Sequence, residues 1–64
     1  MNNKYKVALI GNKWYIIRIN GYTRILCSPY RDPLDDICKK LNTNNNYTES
    51  DAQIEYDLMY KIEL

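Results

Sequence analysis

From Lys4 to Cys27 the chain runs as three short segments of alternating apolar and polar residues, separated by Gly11-Asn12 and Asn20-Gly21. A period of two is the signature of a half-buried strand, and both dipeptides are of the kind that closes a tight hairpin. The pattern predicts a three-stranded antiparallel meander with strands at Lys4 to Ile10, Lys13 to Ile19 and Tyr22 to Cys27. Asn20-Gly21 suits a type I′ turn, with positive φ at both central residues, and Gly11-Asn12 suits II′ or I′. Two-residue turns fix register, and register fixes which side chains share a face. The expected pairs are Ile10/Lys13, Leu9/Trp14 and Val7/Ile16, then Ile19/Tyr22, Ile17/Arg24 and Tyr15/Leu26. One face then holds Val7, Leu9, Trp14, Ile16, Ile25 and Cys27, with Tyr5, Arg18 and Thr23 at one end. The second face holds Lys4, Lys6, Ala8, Lys13, Tyr15, Ile17, Ile19, Tyr22, Arg24 and Leu26.

Ser28-Pro29 ends the sheet, because proline cannot donate to a ladder. Asp32 is the predicted N-cap of a helix, with Pro33 at its first position. Leu34, Ile37, Cys38 and Leu41 recur at helical spacing and give an apolar face to cover the first sheet face. Asp35 and Asp36 in the first turn and Lys39 and Lys40 in the last complement the helix dipole. Asn42 is the predicted C-cap, and Asn44-Asn45-Asn46 a loop.

The last third carries two conflicting signals. Thr48 with Asp51 resembles a helix N-cap, whereas Ile54, Tyr56, Leu58, Tyr60, Ile62 and Leu64 alternate without a break. A helix would gather Ile54, Leu58, Met59 and Ile62 but scatter Tyr56 and Tyr60. The period-two match is the cleaner, which predicts a strand from about Glu55 after one helical turn over 49–53. The expected fold is therefore a single α+β domain of order βββαβ. In it Glu55, Asp57, Lys61 and Glu63 would join the second face beside its bases.

Sixty-four residues form one small domain, and a chain this short buries only roughly 60% of its unfolded surface. Self-association, a disulfide or a metal often supports such domains. Histidine is absent and there are two cysteines, so no ordinary zinc set can be assembled. Cys27 and Cys38 are both assigned to the core. The polar start from Met1 to Lys6 and the break at Gly11 do not read as a signal peptide, and no run approaches the roughly 20 apolar residues of a membrane span. A reducing cytoplasm is the expected compartment, with no cofactor.

The net charge of +1 hides an asymmetry: residues 1–31 carry six cations and no acid, and residues 32–64 carry eight acids against three lysines. One reading is that the halves pair within the fold; the other is a basic binding surface. Enzyme chemistry has little to build on. The usual general base is missing, Asp35 and Asp36 are adjacent helical residues that point apart, and Cys38 falls on an apolar helix face. The second sheet face is the functional lead. One helix covers one side of a sheet, so Tyr15, Ile17, Ile19, Tyr22, Arg24 and Leu26 form a candidate partner-binding patch. Isologous pairing of that face would make a homodimer. Its tyrosines with Lys4, Lys6, Lys13 and Arg24 also have the residue types of a nucleic-acid platform.

Lys13 to Ile17, Asn20-Gly21, Ser28-Pro29-Tyr30 and the helix ending Leu41-Asn42 resemble small bacteriophage proteins built as a tryptophan-bearing hairpin, a Pro-aromatic turn and a helix. Some proteins of that kind inhibit host defence, anti-CRISPRs among them. The resemblance implies a binding protein, without identifying its target or which residues bind. With the weak enzyme signals, the expected function is a non-enzymatic interaction module, a phage-derived inhibitor of a host defence protein, the alternative being a small nucleic-acid-binding accessory protein.

Overall fold

The structure, a computed structural model, describes residues 4–61. Strands β1 (Tyr5–Ile10), β2 (Lys13–Arg18) and β3 (Thr23–Ser28) form an antiparallel sheet in the order β1-β2-β3. Helices α1 (Asp32–Thr43) and α2 (Glu49–Lys61) follow. The α+β class and the meander are those the alternation predicts. Among the described residues the fourth strand is not formed: Glu49–Lys61 is helix.

Local and tertiary forces both explain that correction. Thr48 and Asp51 close a reciprocal cap, with the Asp51 N–H donating to Thr48 Oγ1 at 3.2 Å and the Thr48 N–H to Asp51 Oδ2 at 2.9 Å. Ala52 is 1% exposed and Tyr56 packs against the core, four residues apart on one helical face. Ile54 and Leu58, which the alternation groups with Tyr56, point outward at 58% and 63% exposure. Ile62, Glu63 and Leu64 of the expected strand lie outside the described residues.

The first hairpin has the predicted register, Ile10 opposite Lys13, Leu9 opposite Trp14 and Val7 opposite Ile16. Positive φ at Gly11 (+64°) and not at Asn12 fits the II′ alternative. The second hairpin departs from prediction. Ile17 pairs with Arg24 as expected, but Ile16 then pairs with Leu26, Tyr15 with Cys27 and Trp14 with Ser28. Ile25 is the extra residue of a β-bulge. Everything beyond it changes sides: Leu26 enters the core at 5% exposure, and Cys27, expected inside, is exposed. The gain is apolar burial. Ile25 and Leu26, consecutive in sequence, both pack on the core, which a regular strand forbids. Positive φ falls on Gly21 (+93°) and Tyr22 (+54°), not on Asn20 and Gly21. Ile19 and Tyr22 therefore belong to a four-residue connection and do not pair.

The core is Ile16 and Leu26 from the sheet, Leu34, Ile37, Cys38 and Leu41 from α1, and Ala52 from α2. Trp14 is half-buried at its margin, with the Arg31 guanidinium 5.3 Å from its ring. Leu9, beside the first turn, is 56% exposed, outside the cluster it was expected to join. The helix starts one residue differently from expectation: Arg31 holds the cap position, in helical conformation, and Asp32 makes no side-chain cap bond. The Arg31 carbonyl accepts from the N–H groups of Leu34 and Asp35.

Asn42 does not cap α1; the helix continues to Thr43 and Asn44 caps it. Asn42 instead grips β1. Its Oδ1 accepts from the Lys4 and Tyr5 N–H groups at 2.9 Å each, and its Nδ2 donates to the Tyr5 carbonyl at 3.0 Å. The carboxamide thus replaces a neighbouring strand at the free edge of β1, while the bulge disrupts the free edge of β3. Both helices lie on one side of the sheet, and the shortest dimension, 16 Å, is that of two layers.

Candidate functional site

The uncovered sheet face is built from two cross-strand rows. Lys6, Ile17 and Arg24 form one, and Ala8, Tyr15 and Cys27 the other. Lys13 lies at one end; Lys4, Ile19 and Tyr22 lie at the other. Arg24 stands over the Tyr15 ring, 4.9 Å from its centroid, and the Lys6 ammonium is 5.6 Å from that of Tyr22. Cation–ring attraction of this kind contributes about 0.5–1 kcal/mol at an exposed site. Ile17, directly between Lys6 and Arg24, is only 4% exposed although no helix covers it. Long cationic side chains laid along an apolar surface account for that burial.

Of the six residues expected to form the patch, five are on this side. Tyr15 is half-buried, Ile17 buried, Ile19 at the rim, and Tyr22 and Arg24 exposed. Leu26 is the sixth; the bulge turns it into the core, so it cannot line the face. Cys27 takes its place, and nothing in the alternation signals the exchange. Lys6 belongs with the site through its position opposite Ile17, which the alternation does show. Tyr22 stands out in backbone as well as exposure. It is 67% exposed and holds φ +54°, a left-handed conformation that disfavours a side chain by about 1–2 kcal/mol.

The charge pattern follows from α2. Glu55 and Asp57, expected beside the bases of this face, sit in the helical layer instead, and Glu63 lies outside the described residues. Glu55 accepts from Lys40 Nζ at 2.8 Å and from the Tyr47 hydroxyl at 2.7 Å. Those bonds, Lys40 first, hold the Glu55 carboxyl below its usual pKa; burial and Glu55 push the Tyr47 hydroxyl up. Glu49 accepts from Arg18 at 2.7 Å and from the Tyr5 hydroxyl at 2.7 Å, tying α2 to β1 and β2. Arg18 first and Tyr5 second lower the Glu49 pKa, and burial chiefly raises that of Tyr5. All seven described acids belong to α1 or α2. The open face carries Lys4, Lys6, Lys13 and Arg24 with no acid, and none of the four is in an ion pair among the described residues.

A hollow of about 460 Å³ at the sheet end is lined by Lys4, Tyr5, Arg18, Tyr47 and Glu49, among others. Its central charges satisfy one another, which fits a tie between layers. Burial pushes the Cys38 thiol up in pKa, away from the nucleophilic thiolate, and Asp35 is 3.3 Å from Arg31. Among the described residues no cluster of three or more His, Cys, Asp or Glu could hold a metal ion, and no helix is long and apolar enough to cross a membrane. No family model, curated protein or solved structure matches the chain.

Proposed function

We propose that the protein is a non-enzymatic binding module whose working surface is the open face of β1–β3, and that its partner is an acidic macromolecule. The carrying observation is the segregation of charge: four cations and two tyrosines share a face from which every described acid is absent. Such a face attracts a polyanionic surface at long range and offers ring area at contact. A module of this kind acts by occupancy, covering a surface that its partner needs. The resemblance to phage proteins supports a host-cell partner in the same way. Pairing of this face with a second copy sets Lys6 and Arg24 against the same cations, so an acidic partner fits it better than a homodimer.

The test is retention on an anionic resin. Wild type should elute from heparin at higher salt than Lys6→Glu, whereas Lys39→Glu, on α1, should shift less. Equal shifts for the two variants would remove the open face from its proposed role.

A further inference from the structure

We infer that the partner of this face is a single-stranded nucleic acid, a conclusion that rests on the open-face reading above and narrows it. Protein docking sites draw most of their affinity from a desolvated centre of aromatic and aliphatic groups. Here the centre is already closed: Ile17 is buried within the face and Leu26 has left it. What remains outward, apart from Ile10 and Ile19 at the two ends and Cys27, is a set of cationic ends and tyrosine rings. These are the two components of single-strand recognition, phosphate neutralisation and base stacking on an aromatic ring.

Tyr22 carries the argument further. Its φ of +54° is a conformation in which glycine or asparagine would rest more easily, and its 67% exposed ring recovers little from burial within the fold. Strain held at an exposed aromatic residue points to use outside the fold. The Lys6 ammonium stands over one face of the ring, so a base stacked on the other face, or displacing the lysine, would have that ammonium within reach of its phosphate. Arg24 over Tyr15 repeats the combination one strand-pair further on. A duplex keeps its bases stacked inside and cannot use the rings, which makes the single strand the matching form.

Fluorescence anisotropy with labelled 12-mers of dT and rU, and with a 12-base-pair duplex, tests this on the full chain. Wild type should bind the single strands more tightly than the duplex, and Tyr22→Gly should weaken single-strand binding about tenfold, equivalent to about 1.4 kcal/mol, within the range for one stacked base. The same variant should melt no lower than wild type, because glycine relieves the left-handed strain; Tyr22→Asn, also at ease there, guards against a folding artefact. Affinity should fall with salt, with a log–log slope near −0.7 for each phosphate neutralised. Duplex binding equal to single-strand binding, with Tyr22→Gly silent, would overturn the inference. Binding of poly-glutamate lost in Lys6→Glu/Arg24→Glu, with no oligonucleotide bound, would overturn it and leave the open-face reading standing. No binding of either polyanion would remove both.

Discussion

Replacing Asn42 with alanine should cost far more stability than its place near a helix end suggests. Three bonds to β1 are lost, two from the Lys4 and Tyr5 N–H groups and one to the Tyr5 carbonyl, together with a weak one from Nδ2 to Cys38 Sγ at 3.7 Å that is left out of the sum. At about 1 kcal/mol net each, the loss is about 3 kcal/mol. Two corrections reduce it. Alanine is the better helix former by roughly 0.6 kcal/mol. The bond from Lys4 is exposed, so water replaces part of it. The expected net loss is about 1.5–2 kcal/mol, a large share of the roughly 3–5 kcal/mol that a core this small supplies. Thermal unfolding followed by Trp14 fluorescence should move down by about 6–16 °C, at about 4–8 °C per kcal/mol for domains of 60–100 residues. Hydrogen exchange at the Tyr5 amide should quicken in step. Asn42→Asp keeps an acceptor for the two N–H groups but turns an oxygen toward the Tyr5 carbonyl, so it should rescue little. A loss under 0.5 kcal/mol for Asn42→Ala, with Tyr5 exchange unchanged, would refute the reading of Asn42 as the clamp on β1.

Leu26→Ala should destabilise by about 2–5 kcal/mol and Cys27→Ala by under 0.5 kcal/mol, because the bulge buries the first and exposes the second; similar values would reject the register. In native protein a thiol reagent should modify Cys27 alone, with Cys38 reacting only after unfolding; fast labelling of both would place Cys38 outside the core. Glu49 and Glu55 have folded pKa values below the ordinary 4.5, so each adds stability above that value, lost as pH falls through it toward the lowered one. Glu49→Gln/Glu55→Gln should therefore flatten the dependence of urea midpoint on pH between about 5 and 3; an unchanged slope would mean that the two ties are not formed in solution.

The parts of this fold written in the chain are those where local chemistry and burial agree. Gly11-Asn12 between alternating runs gives a hairpin of the right register, and Leu34, Ile37, Cys38 and Leu41 give the buried face of α1. The bulge at Ile25 was not legible. No glycine marks it, and its cause is tertiary: only a local break in alternation lets Ile25 and Leu26 both reach the core. Asn42 has the composition of a cap and does the work of a strand edge, a role that depends on where β1 arrives. The site was legible in part for the same reason. Tyr15 and Ile17 fall on the open face because β2 alternates without a break, and Arg24 because it precedes the extra residue of β3; Leu26 leaves the face because it follows that residue.

The segment after Thr48 shows how far one secondary-structure choice reaches into function. Its alternation is unbroken, yet hydrophobic alternation stabilises a strand only where a sheet edge is free to receive it. Here the edge of β1 is held by Asn42 and that of β3 is bulged, while the Thr48–Asp51 cap and the fit of Ala52 against α1 favour the helix. As a strand, the segment would have carried Glu55 and Asp57 onto the open face, and ion pairs there would have consumed Lys6 and Arg24. As a helix it takes those acids to the opposite layer, where Glu55 binds Lys40 and Tyr47. The unneutralised face is thus a consequence of the edge defences: by refusing a fourth strand, the sheet keeps its cations free of the described acids and leaves Tyr22 exposed.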